Sequence, residues 1–284
     1  MKLKNANSDI YIPDDGRLPD SITRTTHLGI GAHQDDLEFM AMHGILECYQ
    51  RDSRWFGGIT CTDGAGSARS GPYADYSDEQ MKAVRVEEQR AAAKLGEYAF
   101  MAQLGYPSSC TKQASKRQDL VQEIHNLILE AQPIYIYTHN PFDKHASHIG
   151  VCLAVLEAIR ILPADKRPRT VFGCEVWRAL DWIPDSMKVI QPVDTHPSLA
   201  PELNGVFKSQ IAGGKRYDLA VEGRRLANAT FLDSYSVDQC NRAAYAIDLT
   251  PLTADSGPSI EQFTSGILDS FAEECHRMLK DLKT

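Results

Sequence analysis

Apolar positions along this chain keep switching between two rhythms. Residues 27–32 are a short, mostly apolar run ending in small side chains, and residues 36–49 then place Leu37, Met40, Ile45 and Leu46 at roughly helical spacing. That pattern predicts a strand followed by a helix, and the unit repeats. Strands are predicted at 55–61, 98–104 and 134–138, helices at 78–95, 115–131 and 145–161, and further strands at 170–177 and 187–190. Beyond about residue 196 the spacing predicts helices at 199–211 and 216–227, a strand at 243–249 and a closing helix at 260–282. The first dozen residues are polar and are expected to be loosely held. Strands that alternate with helices of this length need crossover connections. The fold class is therefore α/β: a Rossmann-like, mostly parallel sheet with helices on both faces. Without repeats or a low-complexity tract, residues 1–284 read as a single domain, with an α/β core over about 25–195 and a C-terminal extension over about 196–284.

Composition narrows the partners. With 43% hydrophobic and 24% charged residues the chain has a globular profile, which excludes disordered and collagen-like readings. Its 30 Lys and Arg stand against 38 Asp and Glu, so a net charge of -8 gives no electrostatic reason to bind nucleic acid or anionic lipid. No nucleic-acid partner is expected. The first twenty residues lack the apolar run of a signal peptide, and no stretch approaches the roughly 18 to 20 apolar residues of a membrane span. A cytoplasmic protein is expected. Seven cysteines, an odd number with no C-x-x-C pair, argue against a disulfide framework or a thiolate metal site.

In parallel sheets ligands bind beyond the carboxyl ends of the strands, and that is where this sequence concentrates its polar chemistry. The first cluster is Gly31-Ala32-His33-Gln34-Asp35-Asp36-Leu37-Glu38, at the handover from the first α/β-core strand to its helix. Either aspartate alone could be a helix cap. The second cluster, Thr138 to His148, again follows a parallel strand and runs into a helix; His145 and His148, three apart, share a face of its first turn. His139 is either a further member or a loop residue. Together His33, Asp36 and His148 offer two imidazoles and one carboxylate, which suits Zn2+ with an open fourth position. Asp35 is then spare to act as general base toward metal-bound water, and His145 faces the leaving group. This is the division of labour of metal-assisted amide hydrolysis. The same ligand count also serves non-haem Fe(II) oxygenases, although those sites usually lie in antiparallel barrels.

The two clusters resemble the signatures of the PIG-L/LmbE-like zinc N-deacetylases, A-H-P-D-D-E-like and D-x-H-P-D-H-like. The resemblance extends through Thr62-Asp63-Gly64, Arg85 with Glu88, residues 91–96 and Lys208-Ser209-Gln210. It implies zinc on His33, Asp36 and His148, Asp35 as base, His145 as the catalytic histidine and Arg85 as a substrate-binding arginine. The plainer account of Arg85 with Glu88 is an i,i+3 ion pair on an exposed helix face. The resemblance further implies a small N-acetylated sugar or glycoconjugate as substrate, such as an N-acetylglucosamine derivative, a pocket walled by the C-terminal extension, and a possible homo-oligomer.

Three departures stand out. Gln34 and Ala146 occupy usual proline positions, which should loosen the backbone. Ser147 replaces an aspartate beside the zinc histidine, leaving Asp143 as the candidate partner that orients an imidazole from behind the ion. Ser108 stands where the family often has a substrate-binding aspartate. These departures motivate one more alternative, a catalytically inactive carbohydrate-binding member of the fold. Glu38 reads first as a first-turn acid. Trp177, Trp182, Arg178 and Tyr217 read as packing residues or as pocket walls that stack on sugar rings. Residues 63–77, rich in Gly, Ser and Ala, read as a candidate lid.

Overall fold

Alternation from residue 27 onward assembles one eight-stranded sheet in the computed structural model, which describes residues 3–283. In chain order the elements are β1 (Asp9–Tyr11), α1 (Asp20–Thr23), β2 (His27–Gly31), α2 (Asp36–Met40), α3 (Met42–Cys48), β3 (Phe56–Thr62), α4 (Asp78–Leu95) and β4 (Phe100–Tyr106). They continue with α5 (Ser109–Lys112), α6 (Gln118–Ala131), β5 (Tyr135–His139), α7 (Ala146–Arg160), β6 (Thr170–Cys174) and β7 (Val189–Pro192). The chain closes with α8 (Leu199–Val206), α9 (Lys208–Ala212), α10 (Tyr217–Thr230), β8 (Ala243–Asp248) and α11 (Ile260–Asp281). No helix among the described residues is long and apolar enough to cross a membrane.

The strands lie in the order β1-β4-β3-β2-β5-β6-β8-β7. The central five are parallel, and β1, β8 and β7 pair antiparallel at the two sides. Parallel strands covered on both faces must be apolar or small throughout, and β2 and β3 are buried along their whole length. One core cluster joins Leu28, Ile30 and Ile59 to Leu127 of α6 and Val155 of α7. A second joins Phe56 and Tyr137 to Ile45 of α3, Ala92 of α4 and Leu203 of α8. Gly150 lets α7 lie against α5, since a Cβ there would come within 2.1 Å of the Thr111 carbonyl oxygen.

After β2 the chain lays strands to one side, through β3 to β4, and then returns to place β5 and β6 on the other side. Such a reversal opens a crevice at the strand ends. Both polar clusters emerge there, one from β2 and one from β5.

Several expectations need correction. Residues 1 and 2 lie outside the described residues, but residues 9–11 are held: β1 pairs with β4, and Asp9 accepts from Arg90 Nε at 2.9 Å. A three-residue strand is too short to show a period. The helix expected at 36–49 is two helices, because Ala41 leaves helical geometry (φ -102°, ψ 18°). The one expected at 199–211 breaks at Phe207 (φ -80°, ψ 59°), whose ring is buried. The strand expected at 98–104 starts at Phe100, since Glu97 turns through φ 54° and sends Tyr98 against the Phe56 ring.

Candidate active site

The turn between β2 and α2 is built around close approach and one unusual backbone conformation. Gly31 leaves room for Asp36, whose Cβ would lie 3.0 Å from a Cβ at position 31. Asp35 has φ 97°, left-handed for a residue with a side chain; such conformations cost on the order of 1–3 kcal/mol and persist where neighbours over-determine them. Here the Asp35 N–H donates to Gln89 Oε1 at 3.1 Å, and the Asp35 carboxylate pairs with Arg85 Nη2 at 3.0 Å. Gln34 does not loosen the turn. It is buried, and its amide donates to Thr62 O at 3.1 Å and to Gln103 Oε1 at 3.2 Å, tying the turn to β3 and β4.

Residues separated by more than a hundred positions meet beside this turn. His33 Nδ1 lies 3.2 Å from Asp36 Oδ2, His148 Nε2 lies 3.3 Å from Asp36 Oδ1, and the two imidazole nitrogens are 3.3 Å apart. Ligand atoms about 2.0 to 2.1 Å from a tetrahedral centre are separated by about 3.3 Å. Two imidazoles and a carboxylate gathered at these separations form a nitrogen and oxygen donor set that fits a divalent cation. Asp143 completes the arrangement from behind: His148 Nδ1 lies 3.1 Å from Asp143 Oδ2, so the imidazole can donate there and leave Nε2 free to bind. The N–H groups of His145 and Trp177 also donate to Asp143, at 3.1 and 3.2 Å.

His139 is the last residue of β5 and lies beneath the cluster, fully buried and stacked on His148 with ring centres 3.9 Å apart. Its Nε2 accepts from the Ala32 N–H at 3.0 Å and sits 3.3 Å from Asp36 Oδ2. It is therefore neither a loop residue nor free to turn into the pocket. His145, at the start of α7, edges against His33 and faces Trp177; its Nδ1 is buried without a partner.

Burial and mutual charge set the protonation preferences of the cluster. Burial pushes Asp35 up to about 6, with Arg85 opposing. Burial also works against ionisation of Asp36, but His148, His139 and His33 outweigh it and hold Asp36 well below the usual carboxylate range. Burial and the charge of His148 press His139 and His145 down to about 4. For His148 burial is overcome by Asp36 and Asp143, which raise it to about 10. His148, raised in this way, is the imidazole that lies between two carboxylates.

Arg85 is not on an exposed face. It is 1% exposed and bonds Glu88 Oε2 at 3.1 Å, Asp35 and the Gln34 carbonyl. Glu88 in turn accepts from the Ser209 N–H and hydroxyl, both at 2.7 Å. The i,i+3 pair expected on a solvated face is thus the buried support of Asp35. Glu38 is likewise buried, accepting from Tyr98 Oη at 2.7 Å and Gln89 Nε2 at 2.9 Å, and burial raises it to about 7. Gln89 was the unseen link: it stands one residue after Glu88 and bridges Glu38 to the Asp35 backbone.

A cavity of about 430 Å³ opens over these residues, lined by His33, Asp35, Asp36 and His145 and walled by Trp177 and Tyr217. Asp63 to Ala68 supply another side from the candidate lid, and α10 contributes Ala220, Val221 and Arg224. Trp182 packs elsewhere, on Phe142 and Phe271.

A family model described as PIG-L: GlcNAc-PI de-N-acetylase matches residues 28–159, a segment that holds both clusters, Arg85 and Asp143. Over residues 28–159 the chain matches the PIG-L family. PIG-L is a family of N-deacetylases, which act on amide bonds. Among solved structures, N,N'-diacetylchitobiose deacetylase from Pyrococcus horikoshii superposes with a TM-score of 0.62 at 14% identity, over 84% of this chain and 88% of its own. The 4-carboxy-2-hydroxymuconate hydratase GalB from Pseudomonas putida KT2440 gives 0.61 at 15%, over 79% and 96%. The zinc inhibited form of teicoplanin deacetylase Orf2 gives 0.57 at 15%, over 79% and 97%. At these identities the likeness is one of fold. Comparison with curated proteins finds no match.

Proposed function

We propose that this protein is a zinc-dependent hydrolase that removes the N-acetyl group from an amino sugar or its conjugate. The fold alone does not choose the reaction, because a hydratase shares it. The observation that carries the reading is the convergence of His33, Asp36 and His148, the two imidazole nitrogens 3.3 Å apart and each 3.2–3.3 Å from one oxygen of the Asp36 carboxylate, beside a separate carboxylate on Asp35. These three residues would hold the ion, which supplies Lewis acidity to the acyl carbonyl and to water.

The rest of the work belongs to the chain's own side chains. Asp35 accepts the proton of the attacking water; burial keeps its carboxyl basic enough for the task while Arg85 keeps it ionisable. Arg85, with its guanidinium committed to Asp35, Glu88 and Gln34, positions the base rather than gripping the substrate. His145, on the pocket wall and neutral, faces the departing amine or steadies the oxyanion. Trp177 and Tyr217 offer flat faces to a sugar ring. The mostly parallel sheet speaks against the oxygenase reading, and the presence of His33, Asp35, Asp36 and His145 on one pocket wall, with His148 buried against them, favours an active enzyme over the inactive-member reading.

The test is a screen of zinc-loaded protein against N-acetylated sugars, glycosides and sugar phosphates, with released amine as the readout. Release that stops on chelation and returns with zinc supports the assignment. Metal-independent release, or none from any member of the screen, rejects it.

A further inference from the structure

The walls of the cavity carry charges that the hydrolytic chemistry does not use. Every carboxylate lining it is already engaged: Asp35 pairs with Arg85, Asp36 sits among three imidazoles, and Asp63 pairs with Lys82 at 3.3 Å. Two of its cations are not. Lys112, at the end of α5, has as its side-chain partner only the Ser108 hydroxyl, at 3.4 Å, and takes part in no ion pair among the described residues. Arg224 of α10 donates to the Val176 carbonyl and likewise has no carboxylate within ion-pair distance among the described residues. A third cation, Lys215, stands 5.8 Å from the Trp177 ring centre at the same wall. The lining balances three carboxylates with three cations, but with the carboxylates already engaged the charges of Lys112 and Arg224 are left to act on whatever enters, and low-dielectric walls focus such a field.

We propose that the substrate carries an oxyanion group, a carboxylate or a phosphate, apart from its acetamido group, and that Lys112 and Arg224 recognise it. The inference rests on the deacetylase reading for the identity of the acetamido group, but the oxyanion preference has a readout of its own. Ser108 supports it from the other direction, since a neutral hydroxyl beside Lys112 leaves the ammonium free where a carboxylate would neutralise it.

The experiment compares N-acetylglucosamine with N-acetylmuramic acid, which adds one carboxylate, and with N-acetylglucosamine 1-phosphate and 6-phosphate. Both kcat/KM of the zinc-loaded protein and calorimetric affinity are measured, for the parent, Lys112→Met and Arg224→Met. The expected result is that at least one anionic member exceeds N-acetylglucosamine by about tenfold, that the preference shrinks as NaCl rises from about 20 to about 300 mM, and that it falls at least about fivefold in one of the two variants. The carboxylate and phosphate arms tell which oxyanion is recognised. Equal treatment of neutral and anionic members, or a preference that survives both substitutions, overturns the proposal. Selective anion binding without turnover of any member would remove the deacetylase reading and leave oxyanion recognition standing, whereas turnover without selectivity does the opposite.

Discussion

Asp35 holds its carboxylate from a left-handed backbone position, tied by Gln89 and faced by Arg85. As the proposed base it should not be needed for metal binding. Asp35→Asn is therefore expected to lower kcat by about 10²- to 10⁴-fold while zinc stoichiometry, measured by metal analysis, stays at the parental value. Asp143 acts one step behind the ion by fixing the tautomer and direction of His148. Asp143→Ala should weaken zinc affinity by about 10- to 100-fold in a chelator competition, and an unchanged affinity would remove that role. At this scale the two clusters could be read from the sequence, because their chemistry lies on neighbouring positions at two strand ends. The supports could not. Arg85, Glu88 and Gln89 sit in a helix so rich in charge that a buried polar face looks the same as a solvated one. Lys112 and Arg224 are single residues that reach the cavity only through tertiary packing.

Among the elements, β2 and α7 bring the two halves of the site together, and each offers a test away from the chemistry. His27 opens β2 at the end opposite the cluster; burial presses its pKa down from 6.5 to about 4. The unfolded chain therefore takes up the proton first. The associated stability is complete above pH 6.5 and is lost as pH falls toward 4, by on the order of 3 kcal/mol. His27→Phe should flatten that share of the acid-side decline in Tm, and an identical decline would show the imidazole is not responsible. Gly150 sits where α7 meets the Thr111 carbonyl of α5. Gly150→Ala should destabilise by about 1–3 kcal/mol through overpacking against backbone, read by urea denaturation. The periodic elements were readable along most of their length, since apolar spacing is set by which face is buried. The breaks at Ala41 and Phe207 were not, because neither residue is a helix breaker and the chain turns there to fit the packing around it.

For the molecule as a whole, an ion that binds only the folded state adds stability by mass action, about 2.7 kcal/mol at a hundredfold excess over Kd. Zinc should raise Tm of the parent, and His148→Ala should abolish the increment; a rise that persists in the variant would place the ion elsewhere. The sheet order makes a second demand. β8, from the last fifth of the chain, lies between β6 and β7, and among the described residues β7 has no other strand neighbour. Making the protein on a ribosome therefore imposes a wait: β7 emerges about 50 residues before the only strand it can pair with. The β6 edge itself waits about 70 residues for β8, which at about 5 to 20 residues per second is roughly 3 to 14 s uncovered. Through that interval it is open to chaperones or to the same edge of another growing chain, so yield in the cell should depend on how fast the final fifth is translated.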